Sequence, residues 1–475
     1  MKNHMLKLSA LALAGHLMSA HAITLDEYLV QVRLRNGGVQ GTKISSQAKS
    51  LRADEANLFF KPSFFLTGEY LDDQRPTNSP LFQGFQTLRH TFRSGINQNW
   101  KTGTKATLSY NIYKSQINGV SSQFLPRSRF YDVSPQIEIT QSLWRNFMGS
   151  EFKAQTEAQL AQVEAQRYND QFTYKQLVIA AENAYWRLYF AELSVKVQEE
   201  SLARAKKLRD WNENKVRNNL VDDVDLLQAE GNLQTREIEY QDSLTELDTA
   251  TREFNSIRED ATPVKLENGT GPDSLAIINA PIPQKAKMRE DVLVSLANQK
   301  VALANSLVGT ERNKPNLELY GTYSINGRDL DYGKAYDQAV GAQRPYSIIG
   351  VRFTTPLDFG ALSDYKKAYA KEVTATDMTY KRKVFEVERE WEILNQRFLN
   401  FKKRLILSQK MEKVQEKKLS RERSRYNQGR TTTFQVLQFE QDFANAQILK
   451  LRNERELITV HNQLKLFSGV DYEQQ

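Results

Sequence analysis

The chain contains no cysteine and only five histidines in 475 residues. Three of those, His4, His16 and His21, fall within the first 22 residues, which leaves His90 and His461. Zinc clusters and thiol nucleophiles are thereby excluded, and histidine acid–base chemistry is poorly supported. No paired-carboxylate constellation takes their place, so no catalytic residue, cofactor or metal ligand is assigned, and an enzyme is not expected. Without disulfides, an exported protein of this size depends on packing or assembly for stability. The lack of cysteine also excludes an N-terminal lipid anchor on that residue. Beyond residue 22 no run of 18 apolar residues occurs, which excludes a transmembrane α-helix. It leaves a β-barrel open, because barrel strands alternate faces.

The opening segment has the look of a processing signal. Lys2 and Lys7 precede the apolar run "LSALALAGHLM", and "AHA" (20–22) offers a small-x-small cleavage site. Residues 1–22 are read as a signal peptide, with export of a mature chain starting near Ile23. Losing two lysines and no acids takes the net charge from +8 to +6, 63 basic against 57 acidic residues. The basic residues are interleaved with acids, as in "KRKVFEVEREWE" (381–392), the pattern of a solvated helix face with i,i+4 pairs. No nucleic-acid partner is expected.

Short alternating segments recur. In "TKATLSYNIY" (104–113), Ala106, Leu108, Tyr110 and Ile112 share one face while Lys105, Thr107, Ser109 and Asn111 share the other. "SPQIEITQSL" (134–143) sets Ile137, Ile139 and Leu143 against Glu138, Thr140 and Ser142. "KPSFFLTGEY" (61–70), "TFRSGINQNW" (91–100), "KPNLELYGTY" (314–323) and "YSIIGVRFTTPL" (346–357) are further candidates. Each has about the ten residues that a tilted membrane strand needs.

Two of these segments are copies. "KPSFFLTGEY" and "KPNLELYGTY" share Lys-Pro and Leu-x-Gly-x-Tyr at an offset of 253 (61 and 314). A second duplicated feature, "ENKVRNNLVDDVDLLQAE" (213–230) and "RSRYNQGRTTTFQVLQFE" (423–440), is offset by 210 (219 and 429). The difference of 43 residues fits an additional strand pair near 91–115 in the first copy. Residues 151–217 and 361–427 are each 67 residues long without glycine or proline, which predicts helices of roughly 100 Å. Their apolar stripes, Val178, Ala181, Tyr185, Leu188 and Val384, Val387, Trp391, Leu394, suit a seam between helices. Shorter return helices are expected at 221–257 and 431–467, and others at 25–35, 43–60 and 288–312. "NGGVQG" (36–41) is read within helix rather than as a phosphate loop.

At the corners, Gly429 suits the left-handed residue that ends a helix, and Asn219 is the next-best choice. Thr432 with Gln435 makes a capping-box pattern, and Asp222 or Asp223 can cap the first return helix.

Taken together, these duplicated units resemble the TolC family of outer-membrane efflux proteins over essentially the whole mature chain. "TLDEYLVQVRLRN" (24–36) is similar to the family's opening helix. "QSLWRNFMG" (141–149) resembles its strand-to-helix passage Q-P-L-x-R-x-F-G, with Ser142 in place of proline. "TPLDFGALSDYKKA" (355–368) resembles P-L-x-x-G, and both corners resemble G-x-x-x-x-x-D-V-L-x-A-E.

The resemblance implies a mainly α fold with a membrane β-barrel. Three protomers would share one outer-membrane barrel above a long periplasmic α-helical barrel. Two repeats are expected, 23–260 (strands about 61–144, hairpin 151–257) and 288–470 (strands about 314–357, hairpin 361–467). Residues 261–287 would connect them. Barrels of about 12 or about 18 strands both remain open. The implied function is an efflux exit duct coupled through a periplasmic membrane-fusion adaptor to an inner-membrane pump of the RND or ABC type. The implied location is the outer membrane, among its lipids. A type I secretion duct is the alternative within the family, and an exported coiled-coil structural or adhesion protein the alternative outside it. Adaptor docking would fall to Val216, Asn219, Leu220, Val221, Tyr426, Gly429, Arg430 and Thr431, of which Asn219 and Gly429 are equally explained as turn residues. The pore constriction would draw on Asp222, Asp223, Asp225, Gln435 and Gln438, with Asp222 and Asp223 alternatively plain N-caps. Gln435 stands where the family has an aspartate, and Tyr426 is expected to bond across the tip to Asp225 or a neighbour.

Overall fold

The structure, a computed structural model, describes residues 22–125, 127–218, 222–262, 265–266 and 281–469. Among these the strands are β1 (Ala22–Ile23), β2 (Ser63–Asp73), β3 (Gln86–Asn99), β4 (Thr104–Asn118) and β5 (Arg129–Ser142). They continue with β6 (Lys265–Leu266), β7 (Asn316–Ile325), β8 (Gly327–Asp329) and β9 (Pro345–Thr354). The α-helices are α1 (Leu25–Arg35), α2 (Gly37–Arg52), α3 (Pro80–Gln83), α4 (Ser150–Arg217), α5 (Asp223–Arg258), α6 (Glu290–Arg312), α7 (Tyr332–Val340), α8 (Phe359–Asn427) and α9 (Thr433–Lys465). α4 has 68 residues and α8 has 69, starting and stopping within two residues of the glycine- and proline-free runs. The chain forms two compact units, one of residues up to Ser45, Asp170–Glu290 and Phe385 onward, the other of Ser46–Asn169 and Asp291–Val384.

The second unit is built on one antiparallel sheet in the order β2-β3-β4-β5-β7-β9, with β8 on β5. Its register fixes two chemically different faces. Phe64, Ile96, Leu108, Ile137 and Tyr323 are successive partners across five strands. On the opposite face Ser63, Asn97, Thr107, Glu138 and Thr322 form the matching row. Polar side chains there bond to one another: Thr107 to Asn97 at 2.8 Å and Arg93 to Asn111 at 3.0 Å. Every residue of the apolar row is at least 40% exposed, the reverse of a sheet packed on a core. Among the described residues β2 and β9 close no further ladder, so the sheet has two open edges.

The passage from β5 into α4 is a left-handed corner. Asn146, Met148 and Gly149 all have positive φ, 56°, 51° and 72°. A Cβ at Gly149 would lie 1.9 Å from the Lys101 carbonyl oxygen, so only glycine fits. The Asn146 side chain then accepts from the Phe152 backbone N–H at 3.2 Å and caps the first turn. Behind it the buried Glu151 takes Arg145 at 3.0 Å and Arg312 at 3.3 Å, so its charge is not left alone.

The first unit packs α1 against α4 and α5. Tyr28 stacks on Phe254 with centroids 4.1 Å apart and donates its hydroxyl to the Phe254 carbonyl at 3.2 Å. Val178, Ala181, Tyr185 and Leu188, the stripe read from the sequence, are all in this core. In the second half Val387 and Leu394 are buried, whereas Val384 and Trp391 are only half-buried. The connection expected at 261–287 is tethered in its described parts: β6 pairs with β1 and Lys285 bridges to Ser468. The helix expected at 43–60 begins earlier, at Gly37, and tightens to a 3₁₀ helix over Ala53–Phe60. Asn36 makes the early start feasible, its side chain accepting from the Val39 N–H at 2.9 Å while Glu259 accepts from Gly37 at 2.8 Å. "NGGVQG" is therefore a helix start.

Candidate functional site

The second corner is the better defined. Gly429 has φ +71° and its N–H donates to the Tyr426 carbonyl at 3.0 Å, while the Arg430 N–H reaches the Arg425 carbonyl at 2.9 Å. These two bonds are the Schellman pattern that ends a helix on a left-handed glycine. Thr432 caps α9, its side chain accepting from the Gln435 N–H at 3.4 Å. The expected capping box is only half made, because Thr431 is also a threonine: its hydroxyl engages the Gln435 side chain, which does not return to the cap backbone.

Beneath this corner lies a closed polar triangle. Tyr426 donates its hydroxyl to Asn212 Oδ1 at 2.8 Å, Thr433 donates to the same oxygen at 3.1 Å, and the two hydroxyls stand 2.9 Å apart. Asn212 is fully buried, and its Nδ2 donates to the Leu208 carbonyl at 3.0 Å. Burial pushes the Tyr426 phenol up from its ordinary range, while the Thr433 and Asn212 bonds pull it down. Leu208, Tyr426 and Val436 form the apolar floor, and Trp211 lies 5.3 Å from the Tyr426 ring. The Lys215 ammonium sits 4.4 Å over that ring. One turn further in, the buried Glu440 accepts from Arg204 at 3.0 Å and Arg423 at 2.7 Å.

This geometry changes two readings of Tyr426. Its side chain is buried within the chain, so it offers little surface for docking. Its hydroxyl bonds to Asn212 and Thr433 and not to Asp225, because α4 presents Asn212 directly beneath it. Val216 is half-buried, Gly429 and Arg430 are exposed, and Thr431 is intermediate. Asn219, Leu220 and Val221 lie outside the described residues.

At the first corner Asp222 holds the N-cap position of α5 with extended backbone, but its side chain makes no capping bond; instead its carbonyl accepts from the Asp225 N–H at 3.1 Å. Asp222 and Asp223 are exposed and Asp225 is intermediate. Gln435 and Gln438 are exposed on α9, and Gln438 donates to Asp442 at 3.2 Å. The structure thus brings Tyr426 together with Asn212, Thr433 and Lys215, residues that sequence reasoning missed. Only the 210-residue offset between the corners hinted that the end of α4 belongs to the site.

Among the described residues no helix is long and apolar enough to cross a membrane, and no cluster of metal-ligating side chains occurs.

No family model and no curated protein matches the chain. Solved structures do. The chain is similar to the CmeC outer membrane channel of Campylobacter jejuni, at 14% identity over 100% of this chain and 96% of that one, with a TM-score of 0.65. It is likewise similar to the MtrE outer membrane channel of Neisseria gonorrhoeae, at 14% identity over 95% and 90%, TM-score 0.67. The outer membrane protein VceC of Vibrio cholerae matches at 12% identity over 93% and 94%, TM-score 0.65. At these identities the likeness is one of fold, and it runs nearly end to end in both directions.

Proposed function

We propose that this chain is an outer-membrane exit duct of the TolC family, acting in efflux as a homotrimer with a periplasmic adaptor and an inner-membrane pump. The observation that carries the reading is the sheet. An antiparallel sheet with one exposed apolar face, one polar face and two open edges is unsatisfied in water and equally unsatisfied in lipid as a single copy. Joining edge to edge with other copies satisfies every backbone group and turns the polar face to an aqueous lumen. The 68- and 69-residue helices supply a periplasmic conduit built from two tandem strand–helix–corner–helix repeats. The likeness to CmeC, MtrE and VceC supports the same architecture.

In this reading the two corners are the periplasmic tips. The exposed Gly429 and Arg430 with Thr431 at the second corner, and Val216 at the first, form the surface for an adaptor's helical hairpin. Asp222, Asp223 and Asp225 lie next to the axis, where three copies supply up to nine carboxylates and favour cations. The test is the mass of the unheated protein extracted in detergent from purified outer membranes. A particle of three protomers that dissociates only on boiling supports the duct. A soluble monomer or dimer released without detergent overturns it in favour of an exported coiled-coil protein.

A further inference from the structure

The sequence left the barrel at about 12 or about 18 strands; the sheet register decides which of the chain's strands have a membrane face. The surplus hairpin β3–β4 (residues 86–118) would be a cap, a plug or a lumen insert if each copy contributed only four strands. Such an element has no reason to carry a lipid-facing stripe. Yet Ile96 and Leu108 stand directly between Phe64 on β2 and Ile137 on β5. Two rows further along the same face, Phe92 pairs with Ile112, and Ile112 with Val133. Asn97 and Thr107 continue the polar row on the other side. The ladders joining β3 and β4 to their neighbours are the longest in the sheet: 11 paired positions to β2, 14 within the hairpin and 13 to β5. Folding the hairpin out of the wall would break two of those ladders and leave their backbone groups without partners in lipid.

The loop end of the sheet repeats the message. α7 lies on the same apolar face, seated through Ala335 and Ala339 against Val133, with Tyr110 and Tyr131 alongside. It turns Tyr332, Tyr336 and Val340 outward, one stripe at i, i+4 and i+8. Tyr110 and Tyr332 join hydroxyls at 2.9 Å. Tyrosines gathered at one level of an apolar face are the girdle of a membrane–water interface. β4, half of the surplus hairpin, provides one of them.

We infer that β3 and β4 are wall strands, so that each copy puts six strands into the shared barrel and pairs its β9 edge with the β2 edge of the next copy. Six is even, and the strands alternate direction, so β9 of one copy meets β2 of the next antiparallel, as in the rest of the sheet. With the three copies of the proposed duct, on which this inference rests, the barrel has about 18 strands. At a strand spacing of about 4.8 Å and a tilt of about 40°, 18 strands close on a backbone circle about 36 Å across, against about 24 Å for 12. The outer-membrane mouth is therefore wide enough for cargo that a 12-stranded wall would exclude.

Two measurements on the full chain in detergent separate this inference from the reading beneath it. Native mass spectrometry counts the copies, and electron cryomicroscopy counts the strands in a section through the sheet. Three copies with 18 strands upholds both. Three copies with 12 strands overturns the inference and leaves the duct standing, whereas any other copy number overturns the duct and the 18-strand count with it. Because the parent has no cysteine, spin labels at Leu108→Cys and Thr107→Cys give an independent check in reconstituted vesicles. Oxygen should broaden the Leu108 signal and a water-soluble nickel chelate the Thr107 signal. Nickel access at both positions would place the hairpin outside the wall.

Discussion

Asn212 and Tyr426 lie 214 positions apart in the chain and meet at 2.8 Å, the phenol donating to the carboxamide oxygen at the base of the second corner. The bond ties the end of α4 to the end of α8. Its third member, Thr433, extends the tie to the first turn of α9. The two partners are not equivalent. Tyr426→Phe leaves Asn212 Oδ1 still satisfied by Thr433, at a cost of about 1 kcal/mol. Asn212→Ala removes the shared acceptor from two buried hydroxyls and should cost about 2–3 kcal/mol. If the corner holds the duct shut, leak of large antibiotics should rise in the order parent, Tyr426→Phe, Asn212→Ala. An equal leak in all three would show that this triangle does not control the opening.

Asp225 supports a prediction about charge. It is less exposed than Asp222 and Asp223, lies in the first turn of α5, and the corresponding position of the second corner is the neutral Gln435. Of this pair of equivalent positions, only the one at the first corner carries a carboxylate. Asp225→Asn should lower cation preference in planar bilayers, and Gln435→Asp should raise it. Reversal potentials under a salt gradient measure both, and an unchanged value in the first variant removes Asp225 from the constriction.

Gly429 isolates a backbone effect. A Cβ there meets nothing within 4 Å, so substitution introduces no clash and changes only the cost of φ +71°. Gly429→Ala should destabilise the corner by about 1–2 kcal/mol, and Gly429→Asn by less, because asparagine tolerates the left-handed region. Adaptor binding and thermal midpoint should fall together for alanine and recover in part for asparagine. Loss of binding with an unchanged midpoint would assign Gly429 to the docking surface itself.

Local patterns carried far into this fold, and long-range partnerships did not. Alternation in "TKATLSYNIY" fixed which side of β4 is apolar, because a strand has only two faces. The missing glycine and proline in 361–427 were enough for α8. By contrast, Asn212 looks no different from Asn214 two positions on, and only the arrival of Tyr426 makes one buried and the other exposed. Arg204 and Arg423 converge on Glu440 from α4 and α8 for the same reason. The half-made capping box shows a finer limit, since two adjacent threonines compete for one glutamine. α7 was not anticipated at all: its nine residues are fewer than the window over which a helical period can be read.

His461 gives the chain a pH response between about pH 6.5 and pH 4. Its ring lies 5.8 Å from Phe398, and its Nδ1 has no hydrogen-bond partner among the described residues. Burial, with Lys465 adding to it, depresses the imidazole from 6.5 to about 4. Between those values the unfolded chain binds a proton that the folded chain refuses, so stability is full above about pH 6.5 and declines as the pH falls toward 4. Allowing for the partial exposure of the ring, the loss is about 1–2 kcal/mol. His461→Leu removes the titrating group and keeps an apolar side chain against Phe398. The thermal midpoint of the variant should therefore rise relative to the parent's as the pH falls from 8 to 4. Parallel curves from pH 8 to pH 4 would mean that His461 titrates normally in the folded chain.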